Sequence, residues 1–274
     1  MTFKKKVERF FSEPVVFMAI FFIIAVLLFF GLTSLINKQD SNAMEDIKKR
    51  GTLIIGIRED IEPFAYRDNE GNLCGFEVEL AELITEKILG ERYVEFKIVS
   101  AKNKNAYLDY SYIDIVIALF DKRVKTADKE KFTFSDAYYL DPIKLVSKQS
   151  DFRPLENSKI GAISSSLSKD YFSDYVISNG LDDINIINYA AIPDMIDALG
   201  KNEIDAFCYE LSALKNIVLE EFFVSEQDYG EMNCSIATKS SEKDLHSEVV
   251  KAFKTIKENG ELSALYQKYN IKNP

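Results

Sequence analysis

A charged corner follows the first apolar strand pattern of the globular region. The segment TLIIGI, which starts at Thr52, is followed at once by Arg58, Glu59 and Asp60. Fixed charges at the end of a buried strand are suited to holding a small charged molecule, because every buried charge needs a partner. The only histidine, His246, falls in a C-terminal helical pattern and is interpreted as a surface residue, so a histidine-based catalytic triad has no support. These residue types indicate binding rather than catalysis.

The corner leaves two interpretations open for its central residues. Arg58 either contacts a ligand or forms a salt bridge with Glu59, Asp60 or Glu62. Phe64 is either a platform for a ligand or part of the hydrophobic core. Both roles agree with the local pattern.

Short apolar runs alternate with helical patterns along most of the chain, which predicts mostly parallel α/β sheets. A helix is predicted from Phe76 to Ile88, where apolar residues recur at helical spacing and Gly90 follows. The polar stretch QSDFRPLENS indicates a boundary between two lobes. Ligands of such sheets bind beyond the carboxyl ends of the strands, which is where Arg58 lies. The predicted strands cover residues 52–57, 94–100, 113–119, 144–148, 159–163, 184–189, 204–209 and 233–239, and the later helices cover residues 167–177, 192–199, 211–219, 243–258 and 261–269.

The N-terminal region contains a candidate membrane anchor. Residues 15–36 form an uncharged run of 22 residues, which as a helix spans about 33 Å, the thickness of one hydrocarbon core. A basic cluster from Lys4 to Arg9 is placed in the cytoplasm by the positive-inside rule. We therefore predict a transmembrane helix that leaves the C-terminal domain extracytoplasmic, in the periplasm or on the outer cell surface. A signal peptide cleaved near Ala43 is the alternative.

Charge and cysteine content exclude several partners. The net charge of −10 opposes nucleic acid and anionic lipid as bulk partners. The three cysteines, Cys74, Cys208 and Cys234, match no metal-site spacing and are interpreted as small buried residues, with a Cys208–Cys234 disulfide as an alternative. We predict no metal, no other cofactor and no nucleic-acid partner.

Five segments occur in the order typical of one protein family. They resemble motifs of the extracytoplasmic solute-binding proteins of polar amino-acid ABC transporters, of the family 3 type. The segments are GIREDIEPFAYRDNEGNLCGFEVELAELI, KFTFSDAYY, NEIDAFCYE, CSIATKSSEKDL and IKENGELSALYQKY. Together they span roughly Asp46 to Ile271, and the stretch SAKNK, which starts at Ser100, is most similar to the glutamate/aspartate branch.

The resemblance implies a two-lobed α/β fold of the periplasmic-binding-protein type II class, with ligand held in the cleft. The implied organisation is a cytoplasmic N-terminus (residues 1–14), the transmembrane helix (15–36), a tether (37–46), lobe one (47–146 plus 236–271) and lobe two (147–235). Closure of the lobes would exclude water from the ligand.

The resemblance also implies a site for the ligand's α-carboxylate, and this chain departs from it. The family uses an arginine in a T-x-x-R motif together with hydroxyl residues on the preceding strand. Leu119 and Asp121 occupy the hydroxyl positions, Lys129 occupies the arginine position, and Arg123 is a possible substitute. Lysine cannot make the two-pronged contact of arginine, so we expect an atypical carboxylate clamp. Alternatively, Arg123 and Lys129 belong to a solvated charge run.

The remaining site residues are carried over by the same resemblance. Glu210 matches the family's partner for the α-ammonium group, while Arg58 and Lys104 match cations that acidic-amino-acid binders use. Ser165 and Ser166 lie near the helix start where lobe two contacts ligand. Each has a structural alternative: the serines and Glu210 cap helices, and Lys104 begins a solvated helix.

We therefore predict a membrane-anchored solute-binding protein, not an enzyme, that delivers a polar amino acid or related small polar solute to the permease and ATPase of an ABC importer. Two alternatives stay open. One is a ligand-sensing or accessory ectodomain that acts through a membrane partner. The other is a dehydratase-like enzyme on the same fold, with Glu210 as general acid.

Overall fold

The structure, a computed structural model, describes Met18 and residues 21–27, 42–123, 130–181, 183–214, 217 and 221–272. The chain divides into two units, residues 1–42 and 43–274, and each is described by itself. In the first unit, residues 21–27 are helical. Within the described ranges, no helix combines the length and apolar character needed to cross a membrane. The predicted span at residues 15–36 lies mostly outside these ranges.

The second unit contains twelve described strands and eight described helices. The strands are β1 (Leu53–Ile57), β2 (Asp60–Ile61), β3 (Ala65–Arg67), β4 (Leu73–Cys74), β5 (Val94–Ile98), β6 (Ile115–Val116), β7 (Phe132–Ser147), β8 (Lys159–Ile163), β9 (Asn185–Tyr189), β10 (Ala206–Glu210), β11 (Phe223–Val224) and β12 (Glu231–Lys239). The helices are α1 (Ala43–Arg50), α2 (Phe76–Leu89), α3 (Lys104–Asp109), α4 (Leu167–Ser178), α5 (Ile192–Gly200), α6 (Leu211–Leu214), α7 (Lys243–Glu258) and α8 (Glu261–Lys268).

One sheet runs through both lobes in the order β5-β1-β6-β12-β7-β10-β8-β9, with β11 paired to β7. We call lobe one the part built on β5, β1 and β6, and lobe two the part built on β10, β8 and β9. Strand β7 pairs with β12 as far as Pro142 and with β10 from Ile143 to Ser147. The lobes are therefore joined through β7 and β12, and the predicted lobe boundaries stay a prediction.

The sheet is mixed rather than mostly parallel. Pairs β5–β1, β1–β6, β10–β8 and β8–β9 are parallel, as predicted, but β7 and β12 run antiparallel to each other and to their other neighbours. The reason is that these two strands carry the chain from lobe one to lobe two and back, so they run in opposite directions.

Most predicted elements are confirmed close to their predicted bounds, including α2, which ends at Gly90 in a left-handed conformation. Two differ. Strand β7 has 16 residues, whereas only residues 144–148 were predicted. Strand β6 has two residues and is shorter than predicted. Helix α6 is described over Leu211–Leu214, and most of the rest of its predicted range lies outside the described residues. A strand that changes partners halfway carries no single local pattern, which explains why β7 was underestimated.

The core of lobe one holds the start of α2 in place. Phe76, the first residue of α2, is fully buried, and its ring stacks on Tyr266 of α8 at a centroid distance of 5.2 Å. Its ring centroid also lies 6.1 Å from that of Tyr138 on β7. Aromatic contacts of this kind bury large areas, so the position of the residue after Phe76 is well determined.

Candidate functional site

Arg58 lies just beyond β1 and binds its neighbour Asp60. Its Nε and one terminal nitrogen donate to the two carboxylate oxygens of Asp60, each at 2.8 Å, so the predicted salt bridge forms, while contact with a ligand stays a prediction. Burial acts to lower the pKa of Arg58, but the hydrogen bond and charge of Asp60 and the charges of Glu77 and Glu210 raise it above its ordinary value. Glu210 belongs to lobe two, so Arg58 and Glu210 act on each other across the space between the lobes.

The turn after Arg58 is tied to α2 by two backbone hydrogen bonds. The Phe76 amide donates to the Pro63 carbonyl at 3.0 Å, and the Glu77 amide donates to the Phe64 carbonyl at 2.8 Å. Gly75 permits this approach, because its φ is +127° and a Cβ there would lie 2.3 Å from the Phe64 carbonyl oxygen. The Phe64 side chain is buried in the hydrophobic core, which confirms the core interpretation.

Glu77 is a buried carboxylate that the sequence reasoning missed. Its Oε1 accepts the Leu119 amide at 2.7 Å and the Tyr138 hydroxyl, while its buried Oε2 has no hydrogen-bond partner among the described residues. Burial raises the pKa of Glu77, although the bonds from Tyr138 and Leu119 and the charges of Lys104 and Arg58 oppose the rise. The available signal was its place as the first acid in GFEVEL, at the start of α2.

Lys104 begins α3, but its ammonium group is not solvated in the way that the helix-start interpretation requires. Its Nζ donates to the carbonyls of Ala118 at 3.0 Å and Leu119 at 3.2 Å, and lies 4.5 Å from the centre of the Phe120 ring. Burial, with a contribution from the charge of Arg58, lowers the pKa of Lys104 to about 8.

Asp121 is 1% exposed and connects the two lobes. Its Oδ2 accepts the Asn233 amide at 2.6 Å and the Tyr171 hydroxyl at 3.1 Å, and its Oδ1 accepts the Arg123 amide at 2.5 Å. Tyr171 lies on α4 of lobe two. Groups of the protein itself therefore donate hydrogen bonds to both oxygens of the Asp121 carboxylate. An acid stands here at a position where the resemblance implies a neutral hydroxyl residue.

Arg123 and Lys129 are the two candidates to replace the arginine of the family's T-x-x-R motif, and the structure describes only Arg123. The Arg123 guanidinium pairs with Asp174 of α4 at 2.6 Å and lies 4.7 Å from the centre of the Tyr171 ring. Arg123 thus forms a contact between lobes. Lys129 lies outside the described residues.

Lobe two presents its predicted site residues at the start of α4 and the end of β10. Ser166 caps α4 by accepting the Lys169 amide at 3.2 Å, which confirms the cap interpretation, and Ser165 is exposed with φ +59°. Glu210 is half-buried, and its Oε2 accepts the Ser168 hydroxyl. These groups are more accessible than Glu77 and Asp121, the two buried acids of lobe one.

Asp141 is the second buried acid that the sequence reasoning missed. It lies on β7, next to the point where the strand changes partners, and accepts the Ser212 amide at 3.0 Å and the Ser212 hydroxyl at 2.5 Å. Burial raises the pKa of Asp141 to about 7; the charges of Glu210 and Glu77 add to this, and the bonds from Ser212 oppose it. An acid within the apolar stretch YYLDPIKLV could have signalled a buried polar contact.

Two further predictions concern cysteine and histidine. Cys74, Cys208 and Cys234 are free thiols, so the disulfide alternative is wrong. Cys208 and Cys234 are buried, as predicted. His246 is not a surface residue: it is half-buried, with its Nδ1 2.9 Å from the Thr238 hydroxyl. Burial lowers the pKa of His246.

Six ionisable side chains from both lobes and the connection between them act on one another electrostatically. We call this set the interlobe charge cluster: Arg58, Glu77, Lys104, Asp121, Asp141 and Glu210. Two are cations and four are acids, so the cluster is suited to binding a polar solute that brings complementary charge. In the part of the chain that the structure describes, no group of three or more His, Cys, Asp or Glu side chains is arranged to hold a metal ion.

Comparison with known proteins gives a family match over most of the chain. A model described as "Bacterial extracellular solute-binding proteins, family 3" matches residues 53–272. The glutamine-binding protein of Geobacillus stearothermophilus is 28% identical over 211 residues, which cover 73% of this chain and 79% of that protein. The arginine-binding extracellular protein ArtP of Bacillus subtilis (strain 168) is 26% identical over 265 residues, covering 90% and 95% of the two chains.

Solved structures support the same fold. The crystal structure of a solute receptor for L-cysteine of Neisseria gonorrhoeae superposes with a TM-score of 0.64 at 23% identity, covering 82% of this chain and 92% of that one. The two relatives named above are binding proteins, and this supports the prediction that the chain is not an enzyme. The two-lobed α/β architecture and the match to the family model lead to one conclusion: the chain belongs to family 3 of the bacterial extracellular solute-binding proteins.

Proposed function

We propose that this protein captures a polar amino acid, or a related small polar solute, between its lobes and delivers it to an ABC importer. The observation that carries the proposal is the match of residues 53–272 to the family of extracellular solute-binding proteins, on a fold whose two lobes carry opposite charges, Arg58 and Glu210. Such a pair can hold both ends of a zwitterion, or bind a solute that competes with one of the two charges. The names of two relatives, a glutamine-binding and an arginine-binding protein, support the same class of ligand.

We infer that the carboxylate clamp is atypical. The Leu119 amide, a natural donor to a bound carboxylate, is taken by Glu77 and Tyr138. The Asp121 carboxylate lies close by, and Arg123 is paired with Asp174. A ligand carboxylate at this edge would meet repulsion from Asp121, which supports a changed or weakened clamp.

The narrower assignment to the glutamate/aspartate branch stays a prediction. It depends on the SAKNK stretch and on Arg58 and Lys104 as cations for a side-chain carboxylate. A ligand series that includes glutamate and aspartate tests it directly.

We further propose that the protein is held at the cell membrane by residues 15–36, with the lobes outside the cytoplasm. The uncharged run of 22 residues and the basic cluster before it support this placement. Expression of the full chain, followed by alkaline washing of membranes and protease treatment of intact spheroplasts or protoplasts, tests it. Full release by the wash, or protection of the lobes from added protease, would contradict the proposal.

Ligand-dependent stabilisation tests the binding function. The full chain, purified in mild detergent, is heated with each of the standard amino acids and with small organic acids and amines. A bound ligand at about one hundred times its Kd should raise the free energy of unfolding by about 2.7 kcal/mol. Absence of stabilisation by every compound would count against a solute-binding role.

Co-purification separates transport from sensing. For an importer, the tagged full chain should bring down a permease and an ATPase from solubilised membranes. Recovery of a signalling protein instead would favour the sensor alternative. The dehydratase alternative is not proposed, because among the described residues it has only the single carboxylate of Glu210 as support, and the similar dehydratase of Pseudomonas aeruginosa matches only 46% of this chain.

A further inference from the structure

Among the residues that the structure describes, the three most exposed tyrosines lie at one end of lobe one. Tyr93, Tyr110 and Tyr112 are 68%, 69% and 60% exposed, and the ring centres of Tyr110 and Tyr112 are 6.2 Å apart. We call these three residues the tyrosine face. Each ring is a large apolar group that carries a polar hydroxyl at its tip. A group of such rings in contact with solvent indicates a surface that binds something.

Hydrogen bonds place the tyrosine face at the start of β1, at the opposite end of that strand from the interlobe charge cluster. The Thr52 hydroxyl, just before β1, donates to the Tyr93 carbonyl at 3.2 Å. The Asp114 carboxylate, two residues after Tyr112, accepts the Ile54 amide at 2.7 Å. Since a strand rises about 3.3 Å per residue, β1 separates the tyrosine face from the charge cluster by about 16 Å.

The N-terminal part of the chain enters lobe one near the tyrosine face. Helix α1 ends at Arg50, whose guanidinium pairs with the same Asp114 carboxylate. The helix begins where the Met44 amide donates to Asp244 of α7 at 2.9 Å, so both of its ends are fixed to lobe one. An eight-residue helix is about 12 Å long. The chain therefore reaches lobe one about one short helix away from the tyrosine face.

Only a short stretch of sequence separates α1 from the proposed membrane span. The uncharged run ends at residue 36 and α1 begins at Ala43, so residues 37–42 connect them. Even when fully extended, this stretch reaches only about 20 Å. A tether this short gives lobe one a high effective concentration at the bilayer surface, where a weak contact is sufficient. Tyrosine is enriched where proteins meet the membrane–water interface, because its ring is apolar and its tip is polar.

The charges around the tyrosine face are of both signs. The last turn of α1 consists of Lys48, Lys49 and Arg50, whereas Asp109 ends α3 and Asp114 comes directly before β6. Together with the net charge of −10, this mixture gives no general attraction to anionic lipid. A contact with the bilayer would therefore depend on the aromatic rings, and it would change little with salt.

Resting on the membrane attachment proposed above, we propose that the tyrosine face contacts the interface of the phospholipid bilayer to which the chain is anchored. In this position lobe one stands on the membrane by its tyrosine end, and the interlobe charge cluster is directed towards the solution from which solute is captured. Delivery to an importer requires lobe one to leave this position, so the contact is weak and depends on the short tether.

The chain contains no tryptophan, which permits a direct test. Tyr112→Trp gives the full chain one tryptophan on the tyrosine face, and Leu155→Trp, at a residue that is 70% exposed between β7 and β8, is the matched control. Each variant is reconstituted into phosphatidylcholine vesicles whose acyl chains carry, or lack, bromine atoms near the interface. Both leaflets have the same composition, so the direction of insertion does not affect the result.

Bromine quenches tryptophan fluorescence on contact. We expect the emission of Tyr112→Trp to move to shorter wavelength in vesicles and to be largely lost with brominated lipid, at low and at high salt. The emission of Leu155→Trp should be unchanged by bromine. Equal quenching of the two variants, or quenching of neither, would overturn the inference.

A second measurement separates the native tyrosines from the membrane affinity of tryptophan itself. Adding Tyr93→Ser and Tyr110→Ser to the Tyr112→Trp variant should clearly reduce its quenching. Adding Leu155→Ser and Phe223→Ser, at two exposed apolar residues outside the tyrosine face, should leave the quenching as it was. Thermal melting verifies that each variant folds, and Tyr110→Trp replaces Tyr112→Trp as reporter if the latter does not. Unchanged quenching after loss of the tyrosines would contradict the inference.

The outcomes distinguish this inference from the proposals on which it rests. Release of the full chain by alkaline washing would refute the membrane attachment, and the inference with it. Retention after washing, with the Tyr112→Trp reporter not quenched by brominated lipid, would refute the contact alone. Solute binding is tested separately, by ligand-dependent stabilisation in detergent, and does not depend on either result.

Discussion

The two lobes present their halves of the site in different ways. In lobe one, Glu77 and Asp121 are buried, and Glu77 is held by Tyr138, which is 61 residues away in sequence. In lobe two, Ser165 is exposed and Glu210 is half-buried. Lobe one therefore keeps its polar groups in place through internal contacts, whereas lobe two offers its groups from the end of a strand and the start of a helix.

This difference indicates that the two lobes have different roles in solute binding. A preorganised half loses little entropy when a solute binds, so lobe one is suited to making the first contact. Lobe two is joined to it by β7, β12 and a few side-chain contacts, and the lobe closure that the family resemblance implies would let its accessible groups complete the site. The comparison predicts that changes within lobe one affect stability more than changes at the contact between lobes.

The largest effect is expected at Gly75. Gly75→Ala forces a side chain into a φ of +127° and places Cβ 2.3 Å from the Phe64 carbonyl oxygen. We expect a loss of about 3 kcal/mol in the free energy of unfolding, measured in urea. Gly71→Ala is the control, since Gly71 has φ +85° but open space around it, and should lose only about 1 kcal/mol. Equal losses would show that the contact with the turn does not hold α2.

The raised pKa of Asp141, at the connection between the lobes, predicts that the free energy of unfolding depends on pH. Its pKa, raised to about 7, means that the folded protein keeps a proton on it at pH values where the unfolded chain has lost it. The stability that this group contributes is therefore present at low pH and falls as the pH rises towards 7. The advantage of the wild type over Asp141→Asn should shrink by on the order of 2 kcal/mol between pH 5 and pH 7.

The measurement is a series of urea titrations over that pH range. Asp136→Asn serves as control, because Asp136 lies on the same strand with its side chain 81% exposed. A wild type and an Asp141→Asn variant whose stabilities run parallel with pH would refute the prediction.

A substitution at Tyr138 tests whether its hydrogen bond to Glu77 stabilises lobe one. Tyr138→Phe keeps the ring but removes the hydroxyl that donates to Glu77 and accepts the Leu119 amide at 2.8 Å. We expect a loss of about 1–2 kcal/mol in the free energy of unfolding. Tyr110→Phe, at a tyrosine that is 69% exposed, should change stability by less than about 0.5 kcal/mol. Similar values for both variants would mean that the hydroxyl gives Glu77 no support.

The smallest effect is expected at the contact between lobes. The side chains of Arg123 and Asp174 are 39% and 57% exposed. Arg123→Ala should therefore cost no more than about 0.5 kcal/mol, and the cost should decrease with added salt. Thermal melts at low and high ionic strength measure it. A loss of 2 kcal/mol or more would reverse the comparison, because the interlobe contact would then be as strong as the internal contacts of lobe one.

The sequence predicted much of the fold for a clear reason. Helix α7 matches its predicted bounds of residues 243–258, because helical periodicity is a local property. Arg58 was correctly placed just beyond the end of β1, because the apolar run and the charged residues after it are also local patterns, and its role in ligand binding stays a prediction. Glu77 and Asp141 were missed because an isolated acid in an apolar segment has no local partner that reveals its role.

The residues alone determined most of the helices and longer strands, their order, and that charges of both signs follow the first strand. Only the tertiary structure decided how the charges far apart in sequence are used: Lys104 donates to the backbone carbonyls of Ala118 and Leu119, and Glu77 keeps a buried oxygen that has no partner among the described residues. The physical reason is distance along the chain. Glu77 meets Leu119 across 42 residues and Tyr138 across 61, and contacts of that separation are set by packing of the whole lobe rather than by local preference.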